Sequence, residues 1–194
     1  MTRFRGLWAG VLLALAAALP SHTASADVLG TQRYDACIRQ AAKTWWPAGP
    51  DWLWWRAQLY QESRLDPHAV SPVGAAGIAQ FMPGTWREVA PALGYGALPP
   101  TAACPAAQAG AYYMARLQRF WSSPRPHMER HRLAQASYNA GAGNILAAQR
   151  RCGGARDWRE IRACLPAVTG RHARETLDYV DRIARWRTLM EVAP

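Results

Sequence analysis

The sequence has no apolar run long enough to cross a membrane, although it begins with a shorter one. The run from Leu7 to Leu19 is 13 residues long, whereas a membrane-spanning helix needs about 20. Arg3 and Arg5 precede this run, and the small-residue stretch Ala24–Ala26 follows it. This order is typical of a secretory signal peptide, so the sequence predicts that residues 1–26 are cleaved during export. A permanent N-terminal membrane anchor is the alternative.

The sequence also lacks the paired CxxC spacing of a zinc site, and no metal is expected. In an exported chain, four cysteines indicate two disulfide bonds, for which several connectivities are open. We favour a Cys152–Cys164 bond, because it closes a short loop that contains two glycines, and this leaves Cys37 to bond Cys104. Free buried thiols are the alternative.

Acidic residues are scarce: Asp and Glu number 13 against 23 Lys and Arg, which gives a net charge of +10. Loss of residues 1–26 removes two arginines, so 21 basic residues remain and the charge becomes +8. Such an excess favours an anionic polymer as partner, either a nucleic acid or the cell wall. The arginines form no recognisable nucleic-acid-binding module, and export argues against a genomic target, so no nucleic-acid partner is expected.

No alternating run of apolar and polar residues predicts a β-strand, and helical spacing covers most of the chain. Pro47 ends the first helical segment, Asp51 can cap the second, and Pro67 follows it. The predicted helices cover residues 34–46, 52–64, 106–121, 127–138 and 174–190, with a short helical piece after Pro83. The sequence therefore predicts a mainly α fold, in which residues 27–50 form an N-terminal helical extension and residues 51–194 form one domain.

Glu62 shares one face of the second predicted helix with apolar residues. At about 100° per residue, Trp55, Leu59 and Glu62 fall within roughly 60° of one another, so the carboxyl group faces inward. Desolvation raises the pKa of a carboxyl group, and a neutral glutamate can protonate a leaving oxygen and later recover the proton. Glu62 is therefore a candidate general acid and base. A helix-end glutamate in a salt bridge with an arginine is the alternative.

A second carboxylate is missing where a glycosidase would normally have one, about 5 to 10 Å from the first. The nearest candidate, Asp66, directly precedes Pro67, where an aspartate commonly caps a turn. A mechanism with a single carboxylate must therefore be considered. In such a mechanism an N-acetyl group of a sugar substrate can supply the missing nucleophile.

Four motifs in the same order and with matching spacing resemble the SLT-type lytic transglycosylases. They are Glu62-Ser63, GAAGIAQFMPGT from Gly74 to Thr85, ASYNAG from Ala136 to Gly141, and ETLDYV from Glu175 to Val180. The resemblance extends from about Asp51 to Met190. It implies a single goose-lysozyme-like helical domain, with a long cleft for the glycan strand of peptidoglycan.

The resemblance also implies a reaction and a set of site residues. Such enzymes cleave between N-acetylmuramic acid and N-acetylglucosamine without water or a cofactor, and they leave a 1,6-anhydro-muramic acid end. Carried onto this chain, Glu62 is the catalytic acid and base, and Tyr138 hydrogen-bonds and orients it. The residues expected to line or support the sugar subsites are Ser63, Gln80, Met82, Tyr138, Asn139 and Tyr179.

Several of these residues have structural interpretations as well. Met82 can equally fill the core, and Gly74 and Gly77 are expected to serve backbone geometry rather than to touch substrate. Glu175 and Thr176 are interpreted as structural residues near the start of the last helix.

Two other functions stay open. A hydrolysing muramidase would use Asp66 or another acid to activate water, and a non-catalytic factor would use its basic surface to hold peptidoglycan near a partner. Peptidoglycan glycan strands are the expected partner, and a secretion or conjugation machinery is a further candidate. The expected location is the periplasm or the cell wall.

Overall fold

A computed structural model describes residue 29 and residues 31–192, so the predicted signal peptide lies outside the described residues. The described residues form a mainly α fold, as predicted from the sequence. The α-helices are α1 (Asp35–Trp45), α2 (Trp52–Ser63), α3 (Pro83–Val89), α4 (Ala103–Phe120), α5 (His127–Ala140), α6 (Ala142–Arg151), α7 (Trp158–Cys164), α8 (Pro166–Thr169) and α9 (Ala173–Val192). Short 3₁₀ turns occupy Pro91–Leu93 and Gly170–His172. No helix within the described part of the chain has the length and apolar character that a bilayer-spanning helix needs.

Helix α2 lies between α1 and α9, while α5 contacts α4, α6 and α9. The core between these helices consists of fully buried apolar side chains, including Trp55, Leu59, Met114, Leu133, Ile145 and Ile183. Their removal from water is the main force that holds the helices together. Helix α1, predicted as part of an N-terminal extension, buries Ile38, Ala41 and Ala42 in this same core.

Gly110 explains how the Trp55 ring fits against α4. A Cβ atom at this position would lie 2.6 Å from the ring, so only glycine allows the close approach. The indole N–H of Trp55 donates to the carbonyl of Ala107 at 3.1 Å, which satisfies its buried polar atom. Helix α2 is thereby fixed to α4 at a point four residues before the buried Leu59 and seven residues before Glu62.

The ends of α2 follow from local chemistry. The Asp51 carboxylate accepts from the amide of Leu53 at 3.0 Å, which is the predicted N-cap. At the other end Arg64 and Leu65 have φ values of 58° and 64°, and this left-handed pair stops the helix at Ser63. Glu62 therefore lies in the last turn of the helix.

Both predicted disulfide bonds are present. Cys37 is bonded to Cys104, which joins α1 to the start of α4, and Cys152 is bonded to Cys164, which joins the ends of α6 and α7. The Cα–Cα distances are 5.7 Å and 5.8 Å, within the ordinary range for disulfides. No cysteine among the described residues is free.

Three helices were not predicted, namely α6, α7 and α8. Two glycines at positions 141 and 143 weaken the helical pattern of the sequence after residue 138, but Gly141 takes a φ of 83° and turns the chain directly into α6 at Ala142. Helices α7 and α8 are seven and four residues long, which is too short for a periodic pattern to stand out.

The segment between α2 and α3 forms a compact loop. Isolated β-bridges pair Ala76 with Val70 and with Phe81. Gly77 has a φ of 80°, and a Cβ atom there would lie 1.9 Å from the carbonyl oxygen of Pro100. Gly74 also has a positive φ of 84° but faces open space. Both glycines thus serve backbone geometry, and only Gly77 is needed for a close contact as well.

Candidate active site

A pocket of about 260 Å³ opens where the last turn of α2 meets α5 and α9. Its walls are formed by Gln61, Glu62, Asn139, Glu175, Asp178, Tyr179 and Arg182. The structure therefore brings together three residues predicted for the site, Glu62, Asn139 and Tyr179. It adds four that sequence reasoning did not assign to it.

Glu62 is a partly buried acid that is neutral near pH 7. The pKa of its carboxyl group is raised to about 8, chiefly by burial and to a smaller extent by the negative charge of Glu175. The hydroxyl of Tyr179 donates to Oε1 of Glu62 and acts in the opposite direction, because this bond stabilises the carboxylate. Desolvation is the largest of the three effects, so the protonated form prevails at neutral pH.

Tyr179, rather than Tyr138, is the tyrosine that hydrogen-bonds Glu62. The hydroxyl of Tyr138 donates to the carbonyl of Ala79 at 2.7 Å, so the predicted bond from Tyr138 to Glu62 is wrong. Tyr138 instead holds the loop before α3 against α5. Burial, followed by the charge of Glu62, raises the pKa values of both phenols well above their ordinary range, and both therefore remain hydroxyl donors.

Ser63 and Gln80 shape the loop beside the pocket. The Ser63 hydroxyl donates to the carbonyl of Ile78 at 2.9 Å, which ties the end of α2 to this loop. Gln80 has a φ of 45°, and its amide nitrogen donates to the carbonyls of Ala69 and Gly77, each at 3.0 Å. Both side chains are thus engaged with backbone, and their contact with substrate stays a prediction.

Met82 is exposed rather than buried, with 44% of its surface accessible. The core-filling interpretation is therefore wrong for this residue. Met82 precedes the first turn of α3 and is not part of the pocket wall around Glu62. A role in a neighbouring sugar subsite stays a prediction.

Asn139 is oriented by two residues of α9. The Thr176 hydroxyl donates to Oδ1 of Asn139 at 2.7 Å, which leaves the Asn139 amide to face Glu175 at 3.5 Å. Glu175 is exposed and lines the pocket, so its interpretation as a purely structural residue does not describe it fully. Residues 175, 178, 179 and 182 share one face of a helix, and this spacing was the available signal.

Asp66 lies outside the pocket. It is exposed, and its Oδ1 accepts from the amide of His68 at 2.8 Å. This is the turn-capping role that the position before Pro67 suggested. Elsewhere in the described part of the chain no group of three or more His, Cys, Asp or Glu side chains is arranged to hold a metal ion.

The helical architecture and the glutamate at the end of a buried helix define a lysozyme-like domain. The fold is similar to that of the 70 kDa soluble lytic transglycosylase from Escherichia coli, with a TM-score of 0.61 and 21% identity over 82% of this chain and 24% of that chain. An inactive glutamate-to-glutamine mutant of the lytic transglycosylase Slt from Pseudomonas aeruginosa gives a TM-score of 0.62 and 24% identity, over 84% of this chain and 25% of that one.

The family model of the transglycosylase SLT domain matches residues 55–161, and the chain belongs to this family. A membrane-bound lytic murein transglycosylase F from Alcanivorax borkumensis is 30% identical over 70% of this chain and 28% of that protein. Its counterpart from Serratia proteamaculans is 27% identical over 92% of this chain and 40% of that protein. The chain thus spans less than half the length of these relatives.

Proposed function

We propose that the protein is a peptidoglycan lytic transglycosylase that cleaves the bond between N-acetylmuramic acid and N-acetylglucosamine and forms a 1,6-anhydro-muramic acid end. The observation that carries this proposal is Glu62, a partly buried carboxyl with a pKa near 8, held by Tyr179 in a polar pocket. Membership of the SLT family and relatives named lytic murein transglycosylases support it.

In the first step the protonated Glu62 gives its proton to the glycosidic oxygen. The bond from C1 of the muramic acid to this oxygen then breaks, and N-acetylglucosamine leaves as an alcohol. The oxygen of the substrate's own N-acetyl group bonds to C1, which replaces a second protein carboxylate as nucleophile. Glu62 is now a carboxylate, and the hydrogen bond from Tyr179 stabilises its charge.

In the second step the Glu62 carboxylate removes the proton from the C6 hydroxyl of the same muramic acid. The C6 oxygen attacks C1 and displaces the N-acetyl oxygen, which closes the anhydro ring. Glu62 ends in its original protonated form, and no water is consumed. A single residue can perform both transfers because its pKa lies close to the working pH.

Hydrolysis is the second candidate, because two further carboxylates line the pocket. Glu175 and Asp178 extend from α9 into the same space as Glu62, and either could activate a water molecule in a muramidase. Asp66 is a weaker candidate since it caps a turn outside the pocket. A purely wall-binding factor would have no need for a glutamate with a pKa near 8.

The test is digestion of purified peptidoglycan, with mass analysis of the released muropeptides. The proposal expects anhydro ends, lighter by one water than lysozyme products, and the same yield with or without a chelator. Reducing ends that disappear in Glu175→Gln or Asp178→Asn would instead establish the muramidase. Intact glycan with the native protein would leave only the binding function.

The cellular setting forms part of the same proposal. A signal peptide over residues 1–26 would deliver the protein to the periplasm, where the basic surface favours an anionic wall polymer. The curated relatives are named membrane-bound, which suits an enzyme of the cell envelope. A secretion or conjugation machinery is a candidate partner that copurification with envelope complexes would test.

A further inference from the structure

Two glutamine side chains are buried one helical turn below the pocket. Gln58 of α2 and Gln135 of α5 have no exposed surface, and none of their four amide atoms makes a well-formed hydrogen bond. Burying an amide without such a partner destabilises the folded state, because the amide loses its hydrogen bonds to water. Apolar side chains of similar volume would avoid this cost, so the two glutamines need an explanation beyond packing.

The two glutamines lie in a ladder between α2 and α5. Trp54 and His131 form the lower rung, with ring centroids 5.7 Å apart. Glu62 and Asn139 form the upper rung, since both line the pocket. Glu62 follows Trp54 by eight positions on α2, and Asn139 follows His131 by eight positions on α5. Eight residues correspond to about 12 Å of helix rise. Gln58 and Gln135 fall midway on both helices, which places them at the same level of the ladder.

Tyr179 connects this buried layer to the acid. Helix α9 packs against both α2 and α5, and its Tyr179 donates to Glu62 above the glutamines. A phenol oxygen that donates its proton retains lone pairs that can accept. Burial raises the pKa of Tyr179, and the adjacent Gln58 side chain acts in the opposite direction, as expected when an amide N–H faces the phenol oxygen.

We propose that Gln58, supported by Gln135, is a positioning residue that holds the phenol oxygen of Tyr179 with its amide N–H, so that the phenol proton points at Glu62. The two amides are unpaired in the orientations that the structure gives them, and a rotation of both lets the Gln58 carbonyl accept from the amide of Gln135, which fixes the orientation of the first amide. The effect on catalysis rests on the function proposed for Glu62. The effect on the carboxyl group does not, and it can be measured without substrate.

The Glu62 titration depends on all groups that face it. Those on α9 are Tyr179 and Glu175, with Asp178 and Arg182 in the same pocket, and α5 contributes Tyr138. Gln58→Met leaves each of these groups in place and removes only the buried amide. The hydrogen bond from Tyr179 lowers the Glu62 pKa. A variant that loosens this bond must therefore raise the Glu62 pKa.

The experiment is a ¹³C NMR titration of the Glu62 carboxyl, assigned from its absence in Glu62→Gln. In Gln58→Met and Gln135→Met the Glu62 pKa should rise by about 0.5 relative to the parent, and kcat should fall about 10-fold at unchanged KM. The matched control is Gln149→Met on α6, which removes a hydrogen bond to the carbonyl of Ala155 and lies outside the pocket lining. It should change neither quantity.

A double mutant separates positioning from packing. In a Tyr179→Phe background, adding Gln58→Met should leave the Glu62 pKa unchanged, because the phenol through which it acts is gone. An equal shift in both backgrounds, or no shift in either glutamine variant, overturns the inference.

The parent protein offers a measurement that needs no folded variant. The side-chain amide protons of Gln58 should follow the Glu62 titration with a midpoint near pH 8, whereas those of Gln149 should not. Gln58 amide signals that stay constant through this range would also overturn the inference. A parent that releases no anhydro product would refute the proposed function instead, and these titrations would still stand.

Discussion

The phenol of Tyr179 donates a hydrogen bond to the carboxyl group of Glu62, although the two residues are 117 positions apart in the chain. Burial raises the pKa of Glu62 to about 8, and this bond limits the rise. The bond engages Oε1, so the carboxyl proton is left on Oε2. One tyrosine thus both moderates the acidity of Glu62 and selects the oxygen from which the proton is given.

Replacing Glu62 by glutamine should abolish most of the turnover. Glu62→Gln keeps the shape of the side chain but removes its titrating proton, so release of muropeptides should fall about 10²- to 10⁴-fold. Circular dichroism should show an unchanged helix content. Near-parent release of anhydro products by the folded variant would mean that Glu62 is not the acid.

The same variant should become more stable than the parent as the pH rises. The folded-state pKa of Glu62 lies above the value of an ordinary glutamate, 4.5, so the native state retains a proton that the unfolded state loses. The parent therefore loses stability between about pH 4.5 and pH 8, and Glu62→Gln does not. Denaturant unfolding should show equal stabilities near pH 4 and an advantage for the variant of up to about 5 kcal/mol at pH 9. A salt-bridged structural glutamate predicts the opposite.

Two tyrosine-to-phenylalanine variants should separate the roles of the two phenols. Tyr179→Phe removes the bond that lowers the Glu62 pKa, so the alkaline fall of kcat/KM should move to higher pH. Tyr138→Phe removes only the bond to Ala79, so it should lower the free energy of unfolding by about 1 kcal/mol. The pH of the alkaline fall in kcat/KM should stay unchanged. Equal shifts of the alkaline fall of kcat/KM in both variants would contradict this assignment.

Two glycine-to-alanine variants provide a matched pair for the loop before α3. Gly77→Ala places a methyl group against the Pro100 carbonyl and should cost at least about 3 kcal/mol of unfolding free energy. Gly74→Ala meets no neighbour and should cost only about 1 kcal/mol, from its positive φ. Comparable losses in the two variants would show that the contact with Pro100 is not what requires glycine.

The two disulfide bonds should contribute unequally to stability. The Cys37–Cys104 bond closes a sequence separation of 67 and the Cys152–Cys164 bond one of 12. By restricting the unfolded chain, the first bond should add about 4 kcal/mol to the free energy of unfolding and the second about 3 kcal/mol. Serine replacement of each pair, followed by thermal unfolding, checks the order, and peptide mapping without reduction checks the pairing.

Much of α2 could be predicted because its signals are local. The Asp51 cap, the inward face of Trp55 and Leu59, and the stop before Pro67 are all encoded within a few residues of Glu62. The disulfide pairing was also accessible, since a short loop favours Cys152 with Cys164 and leaves one other pair.

The partner of Glu62 could not be predicted in this way. Tyr138 and Tyr179 both occur in motifs of the family, and the choice between them depends on how α5 and α9 rotate against α2. That rotation is set by packing between distant segments, including Thr176 against Asn139. The buried amides of Gln58 and Gln135 were missed for a related reason, because a glutamine on an apolar helix face has no local signature of burial.

The position of α9 also sets an order in time. A chain leaves the ribosome from its N-terminus, and its early segments can fold before the late ones exist. The general acid at residue 62 is thus made before Tyr179, and the packing of α9 against α2 supplies that partner only after residues 173–192 have been made. A nascent or shortened chain that lacks α9 carries the acid without the group that orients its proton, so the site is assembled only when α9 packs against α2.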